Sequence, residues 1–343
     1  MTIKVGVIGA TGYVGIEILR LLQNHSGVEV VAISSVSYED KALSDVYPGV
    51  LNIYDKKLTN ADEVILKSDV IFVCLPHSLS EEIVAKAKGK LVIDLGADFR
   101  LEEEAIYKKW YGCDFKHKDL HNNSIYCIPE LHKELLKGKN IIANPGCYPT
   151  SIILGLAPIL KNNITFNENI FVSSASGITG AGKKLSDATH FPEASQGFNA
   201  YKIANHRHIA EIEQELTKLA GKKVNVNLAT HLLPVNRGIL STIFVKVNGK
   251  YDKETLLGIY KDFYKNSKFV RIYDDFAKVN INGVKMSNYC DISLTYDDNT
   301  NSIVIVSAID NMVKGAAGQA IQNMNIKLGL KEDEGLTLVP AVF

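Results

Sequence analysis

The sequence predicts an α/β protein in which a doubly wound parallel sheet of the Rossmann type is followed by an α+β domain. Three observations predict it. A glycine-rich turn, Gly9-Ala10-Thr11-Gly12-Tyr13-Val14-Gly15, joins an apolar, β-branched run to an amphipathic helical pattern at the start of the chain. Short apolar runs then alternate with helical patterns to about residue 146, as in a parallel sheet covered on both faces. Beyond that point strand candidates crowd together with fewer helices between them, as in a mixed or antiparallel sheet.

In chain order, Ile3 to Ile8 reads as a buried strand ended by Gly9, and Gly12 to Asn24 as a helix with Val14, Ile18, Leu21 and Leu22 on one face. Val28–Ile33, Val70–Leu75, Leu91–Leu95 and Ile141–Ala143 are the next strands, with a helix over Ser80–Lys88. Pro149–Leu160 and Ile209–Leu219 read as helices of the second part. Val224–Leu228, Ile239–Val247, Phe269–Tyr273, Asp291–Tyr296 and Ser302–Ile309 read as its strands. Asn311–Leu328 returns to helix, and its small residues suit close packing on the first domain. The expected division is a dinucleotide-binding domain over 1–146, completed by a C-terminal segment 311–343, and a catalytic and oligomerisation domain over 147–310.

A chain of 343 residues has room for two such cores. Lys+Arg and Asp+Glu are 38 each, so the net charge is zero, which argues against nucleic acid or an anionic membrane as the main partner. No apolar run reaches bilayer length and no signal-peptide pattern opens the chain, so the expected location is the cytoplasm. The five cysteines are odd in number and form no CxxC pair, so neither a disulfide framework nor a metal site is expected.

The glycine turn lets backbone N–H groups approach a pyrophosphate, with the positive end of the following helix behind them. Gly9, Thr11, Gly12, Tyr13 and Val14 are its candidate contacts. At the end of the second strand, where NAD binders usually carry an acid, the chain reads Ser34-Ser35. An acid there would repel a 2′-phosphate, so its absence favours NADP(H). Asn144-Pro145-Gly146-Cys147-Tyr148-Pro149-Thr150 places Cys147 at a helix start, where unpaired N–H groups stabilise a thiolate and supply an oxyanion site. His206-Arg207-His208 precedes an amphipathic helix carrying Glu211, and histidine is suited to proton transfer near neutrality. His117 and His121 sit in polar sequence and read as surface residues.

Together these segments, with Leu75-Pro76-His77, Asp94-Leu95-Gly96-Ala97-Asp98-Phe99-Arg100 and Ser176-Gly177-Ile178-Thr179-Gly180-Ala181-Gly182, resemble the N-acetyl-gamma-glutamyl-phosphate reductases of arginine biosynthesis. The resemblance spans nearly the whole chain. It implies a glyceraldehyde-3-phosphate-dehydrogenase-like fold and NADPH-dependent reduction of an acyl phosphate through a thioester on Cys147. His208 or His206 would be the acid/base, and Arg100, Arg207 and Glu211 substrate-binding residues. Pro76, Gly180 and Asn311 would lie on the nicotinamide side. It implies a small acyl-phosphate substrate and a homodimer or homotetramer. Where that family often carries an arginine after the serine pair, this chain has Val36. The competing readings are an aspartate-semialdehyde dehydrogenase, a reductase of a carrier-linked aminoadipyl phosphate, and a non-catalytic NADP sensor.

Overall fold

The computed structural model describes residues 2–165 and 169–341. The expected boundaries also take in residues 1, 166–168 and 342–343, which lie outside the described residues. The chain divides into two compact units, Met1–Pro145 with Ala316–Thr337, and Gly146–Gly315 with Leu338–Phe343.

Among the described residues the first unit holds a seven-stranded sheet of β1 (Ile3–Ile8), β2 (Val28–Ser34), β3 (Leu58–Thr59), β4 (Val70–Val73), β5 (Leu91–Asp94), β6 (Ser124–Tyr126) and β7 (Ile141–Ala143). The order is β3-β2-β1-β4-β5-β7-β6 and every pairing is parallel. Both faces of the central strands are buried: Val5, Val7, Ile71, Phe72 and Val73 have no exposed surface, which is why these strands read as unbroken apolar runs. Helices α1 (Tyr13–Leu22), α2 (Ala61–Lys67), α3 (Ser80–Lys86) and α4 (Glu104–Tyr111) belong to this unit, as does the C-terminal helix Gly318–Lys327. The strand order reverses between β1 and β4, the switch point at which open α/β sheets bind ligands.

The second unit carries β8 (Asn169–Gly177), β9 (Asn199–Tyr201), β10 (Asn225–Leu233), β11 (Ile239–Lys246), β12 (Val270–Ile272), β13 (Cys290–Asp297) and β14 (Ser302–Ile309) in the order β12-β13-β14-β11-β8-β10-β9. It is a mixed sheet: β8 pairs parallel with β10 and antiparallel with β11. Helix α5 (Cys147–Lys161) packs on β11, β14 and on α6 (His208–Ala220), and it is buried from Tyr148 to Leu160. Pro158 has no N–H to give to the carbonyl of Leu154, and the Tyr264 hydroxyl takes that carbonyl at 2.5 Å. Tyr260, from α7 (Lys253–Phe263), donates to the next carbonyl, Gly155, at 2.6 Å. The far face of the sheet is open: Phe171 of β8 pairs in register with Phe244 of β11, and both are about half exposed.

The elements read from the sequence are present, but β3, β6, β8 and β9 and helices α2, α4 and α7 were not read from it, and three readings are corrected. The strand at Val70 stops at Val73, and the residues after it turn out of the sheet. Strand β8 was not anticipated, because Ser174 and Ser176 dilute its buried face. The C-terminal helix starts at Gly318, not at Asn311, because Asp310 accepts the N–H groups of Met312 and Val313 at 2.8 and 3.0 Å and a π-helical turn, Val313–Ala317, intervenes. His121 is buried, not a surface residue. It stacks on Phe115 with ring centroids 3.5 Å apart and faces Glu81 at 3.4 Å, an aromatic and charged setting that its polar sequence neighbours do not announce. No helix among the described residues is long and apolar enough to cross a membrane.

Candidate active site

In the first unit the glycine turn sits at the carboxyl end of β1. Gly9 has φ +84°, and a Cβ there would come within 2.5 Å of the Cys74 carbonyl on the loop after β4. Only glycine allows both the conformation and the close approach. The N–H groups of Gly9 and Ala10 donate to the Ser34 carbonyl at 3.1 and 2.9 Å, which ties the turn to the end of β2. Thr11 and Ser35 share a hydroxyl hydrogen bond of 2.7 Å, and Tyr47 donates to the Thr11 carbonyl at 2.9 Å. Gly12 caps α1 without a side-chain hydrogen bond, and the first turn of α1 carries no acid. A rigid loop, an uncapped helix start and two buried serines fit the pyrophosphate and ribose phosphate of a dinucleotide. Tyr13 and Val14 begin the helix, and Val36 is 93% exposed beyond the serine pair.

Pro76 and Arg100 also belong to this unit. Pro76 is exposed on the loop after β4. Arg100 is buried. It donates to the Leu95 carbonyl at 2.9 Å and its charge holds down the carboxyl of Asp94. Burial and the neighbouring Asp98 still win, and the Asp94 carboxyl is pushed up to about 6.

In the second unit Cys147 is the first residue of α5 and is half-buried. The first turn of α5 carries no acid, so the field of the helix start is not offset there. Gly146, just before it, donates its N–H to Glu211 Oε2 at 3.0 Å. A Cβ on Gly146 would lie 2.4 Å from His208 Nε2, so the imidazole packs directly against the backbone beside the thiol. His208 Nε2 is 3.8 Å from the other carboxylate oxygen of Glu211, which is fully buried. One carboxylate thus serves both the turn before Cys147 and the imidazole.

His206 is buried too, but differently placed. Its Nδ1 accepts the backbone N–H of His208 at 3.1 Å, so the ring proton resides on Nε2. Burial, reinforced by the charges of Lys202 and Arg207, pushes this imidazole down to about 4. Its ring lies 4.6 Å from that of His208, centroid to centroid, and Tyr148 stands edge-on to both. Tyr148 shares a 2.8 Å hydroxyl hydrogen bond with Tyr201 of β9. Burial pushes both phenols up, that of Tyr201 to about 12. Arg207, between the histidines, is exposed.

Gly180 and Asn311 also fall in this unit. Asn311 accepts the Gly238 N–H at 2.8 Å and donates to Thr179 Oγ1 at 3.0 Å, so both ends of its amide fasten loops. A Cβ on Gly180 would meet Ser176 Oγ at 3.0 Å. The structure thus brings Cys147, His206, His208 and Glu211 together. Tyr201 joins them without having been anticipated: only the pairing of β9 with β10 reveals its position. No group of three or more His, Cys, Asp or Glu side chains among the described residues is arranged to hold a metal ion.

Residues 4–139 match the family model described as semialdehyde dehydrogenase, NAD binding domain, and residues 147–311 match semialdehyde dehydrogenase, dimerisation domain. Proteins named N-acetyl-gamma-glutamyl-phosphate reductase from Clostridium botulinum and Brachyspira hyodysenteriae are each 52% identical, covering 99% of this chain and 100% of theirs. Among solved structures, aspartate semialdehyde dehydrogenase II from Vibrio cholerae superposes with a TM-score of 0.74 at 19% identity, over 96% of this chain and 99% of that one. The aspartate semialdehyde dehydrogenase with NADP from Candida albicans gives 0.72 at 16% identity, over 95% and 98%. At those identities the structural likeness speaks for the fold.

Proposed function

Because this chain belongs to the N-acetyl-gamma-glutamyl-phosphate reductases of the semialdehyde dehydrogenase family, we propose that it reduces N-acetyl-L-glutamyl 5-phosphate to N-acetyl-L-glutamate 5-semialdehyde and phosphate, with NADPH, as a step of arginine biosynthesis. The observation that carries the mechanism is the joint grip of Glu211 on the Gly146 N–H and on His208, beside Cys147.

The Cys147 sulfur attacks the acyl carbon, the carbon–oxygen bond to phosphate breaks, and a thioester remains on the enzyme. His208, 3.8 Å from the Glu211 carboxylate, gives the proton that the departing phosphate takes up. A bound NADPH supplies the hydride, two electrons, that the thioester carbon needs. The resulting thiohemiacetal anion collapses, the carbon–sulfur bond breaks, and the aldehyde leaves with the Cys147 thiolate restored. His206 is the weaker candidate for the proton, because its Nδ1 is spent on the His208 N–H and its imidazole is held neutral.

Gly9, Thr11, Gly12, Tyr13, Val14, Ser34 and Ser35 are the proposed holders of the dinucleotide, and Pro76, Gly180 and Asn311 of its nicotinamide end. Arg100 and Arg207 are the proposed partners of the substrate's anionic groups. The proposed assembly is a homodimer or homotetramer, supported by the dimerisation-domain match and the open apolar sheet face with Phe171 and Phe244. The proposed location is the cytoplasm, where a working thiol stays reduced.

The test is the reverse reaction. Enzyme, N-acetylglutamate semialdehyde, phosphate and NADP should give phosphate-dependent NADPH absorbance, with little from NAD or aspartate semialdehyde. Turnover of aspartate semialdehyde instead would overturn the substrate assignment.

A further inference from the structure

A second thiol, in the first unit, stands in a setting that the proposed reaction does not use. Helix α4 ends at Gly112, whose left-handed φ of +77° turns the chain so that Cys113 comes back beside His77. Cys113 Sγ lies 3.9 Å from His77 Nε2, and His77 Nδ1 lies 2.5 Å from Asp98 Oδ1. Asp98 is fully buried and accepts the N–H groups of Ser78 and Ser80 at 2.7 and 2.8 Å. Those bonds favour its ionised form, and the carboxylate fixes the imidazole proton on Nδ1. The lone pair of Nε2 is then left facing the sulfur. Tyr111 and Tyr107 hold the His77 ring at centroid distances of 4.2 and 5.6 Å, and the Tyr107 side chain shares a hydrogen bond with Cys113.

Thiol, imidazole and carboxylate in this sequence of contacts are the parts of an activated nucleophile. Cys147, with His208 and Glu211, serves the proposed reaction. Cys127 and Cys290 are buried, and burial with the nearby Asp94 pushes the Cys74 thiol far up. Cys113 is exposed to solvent.

We propose that Cys113 is a second reactive thiol, set up by His77 and Asp98 to be oxidised by hydroperoxides to a sulfenic acid. His77 Nε2 takes the thiol proton, and the sulfur attacks the terminal oxygen of the hydroperoxide. The oxygen–oxygen bond breaks, sulfur is oxidised by two electrons, and the departing alkoxide leaves as alcohol (water, when the oxidant is hydrogen peroxide) with the proton from His77. The inference stands apart from the proposed reductase reaction, since it concerns a different cysteine.

The experiment treats the intact protein with hydrogen peroxide and a sulfenic-acid trap at neutral pH. Labelling is followed at each cysteine separately by peptide mass spectrometry, which separates Cys113 from Cys147. Cys113 should label at least tenfold faster than free cysteine in the same buffer. His77→Gln and Asp98→Asn should each slow it about tenfold, while a saturating maleimide still titrates Cys113 fully. Tyr107→Phe, which keeps the ring and removes only the hydroxyl, should slow it severalfold and serves if the other variants do not fold. Labelling at the rate of free cysteine in the wild type, or at an unchanged rate in His77→Gln, would overturn the proposal.

Discussion

The backbone N–H of Gly146 donates to Glu211 Oε2 at 3.0 Å, across 65 residues of sequence. The first turn of α6 is thereby fastened to the residue before Cys147, and the same carboxylate faces His208. Glu211→Gln keeps an acceptor for the N–H but removes the carboxylate that faces the imidazole. We expect kcat to fall roughly tenfold to a hundredfold, with KM changed by less than about threefold. A loss confined to KM would reassign Glu211 to substrate binding.

The two histidines should separate cleanly. His208→Asn should cost roughly a hundredfold or more in kcat, and His206→Asn less than about tenfold, in steady-state assays. Equal losses would contradict the assignment of roles.

His206 also makes a statement about stability. Its folded value of about 4 lies below the ordinary 6.5, so between those values the unfolded chain binds the proton better. Its contribution is fully present above 6.5 and is lost as pH falls through 4, on the order of 3 kcal/mol in all. Urea unfolding of the wild type should therefore weaken more steeply between pH 7 and pH 4 than that of His206→Asn. Parallel curves would show that the imidazole is not held neutral.

Gly146→Ala places a methyl group where His208 Nε2 now sits, 2.4 Å from the new carbon. The imidazole must move, and a shift of that size at the reacting group costs roughly a hundredfold in rate. The variant should bind NADP as the wild type does, read by fluorescence titration, and turn over at about one hundredth of its rate. Normal turnover would mean that His208 need not touch this backbone.

Val36 is 93% exposed beside the buried Ser34 and Ser35, where a guanidinium could meet a 2′-phosphate. Val36→Arg should lower the KM for NADPH severalfold and leave that for NADH within about twofold. An equal change for both cofactors would place the 2′-phosphate elsewhere.

Much of this was legible in the sequence, and the reasons are local. Glycines at a strand-to-helix junction and apolar runs buried on both faces announce the first sheet, because backbone geometry and burial act on adjacent residues. Cys147 announces itself by the turn before it and the helix after it. Glu211 was picked out by the His-Arg-His segment and the resemblance, but its grip on Gly146 was not, and Tyr201 was missed altogether: it reaches the site through folding of a distant segment, and nothing in its own neighbourhood requires it. The C-terminal helix began late for a comparable reason. Asp310 captures two N–H groups from just beyond it, and a helical composition cannot show that. Likewise the setting of Cys113 depends on His77 and Asp98, which lie on other loops.

The covalent role of Cys147 is the centre of the mechanism, and a burst measurement in the absence of cofactor tests it most directly. Enzyme mixed rapidly with N-acetylglutamyl 5-phosphate, without NADPH, should release about one phosphate per active site and gain the N-acetylglutamyl mass on the peptide containing Cys147, while Cys147→Ser gives no rapid release. Steady phosphate release with no adduct, or an undiminished burst from Cys147→Ser, would contradict the thioester and with it the mechanism.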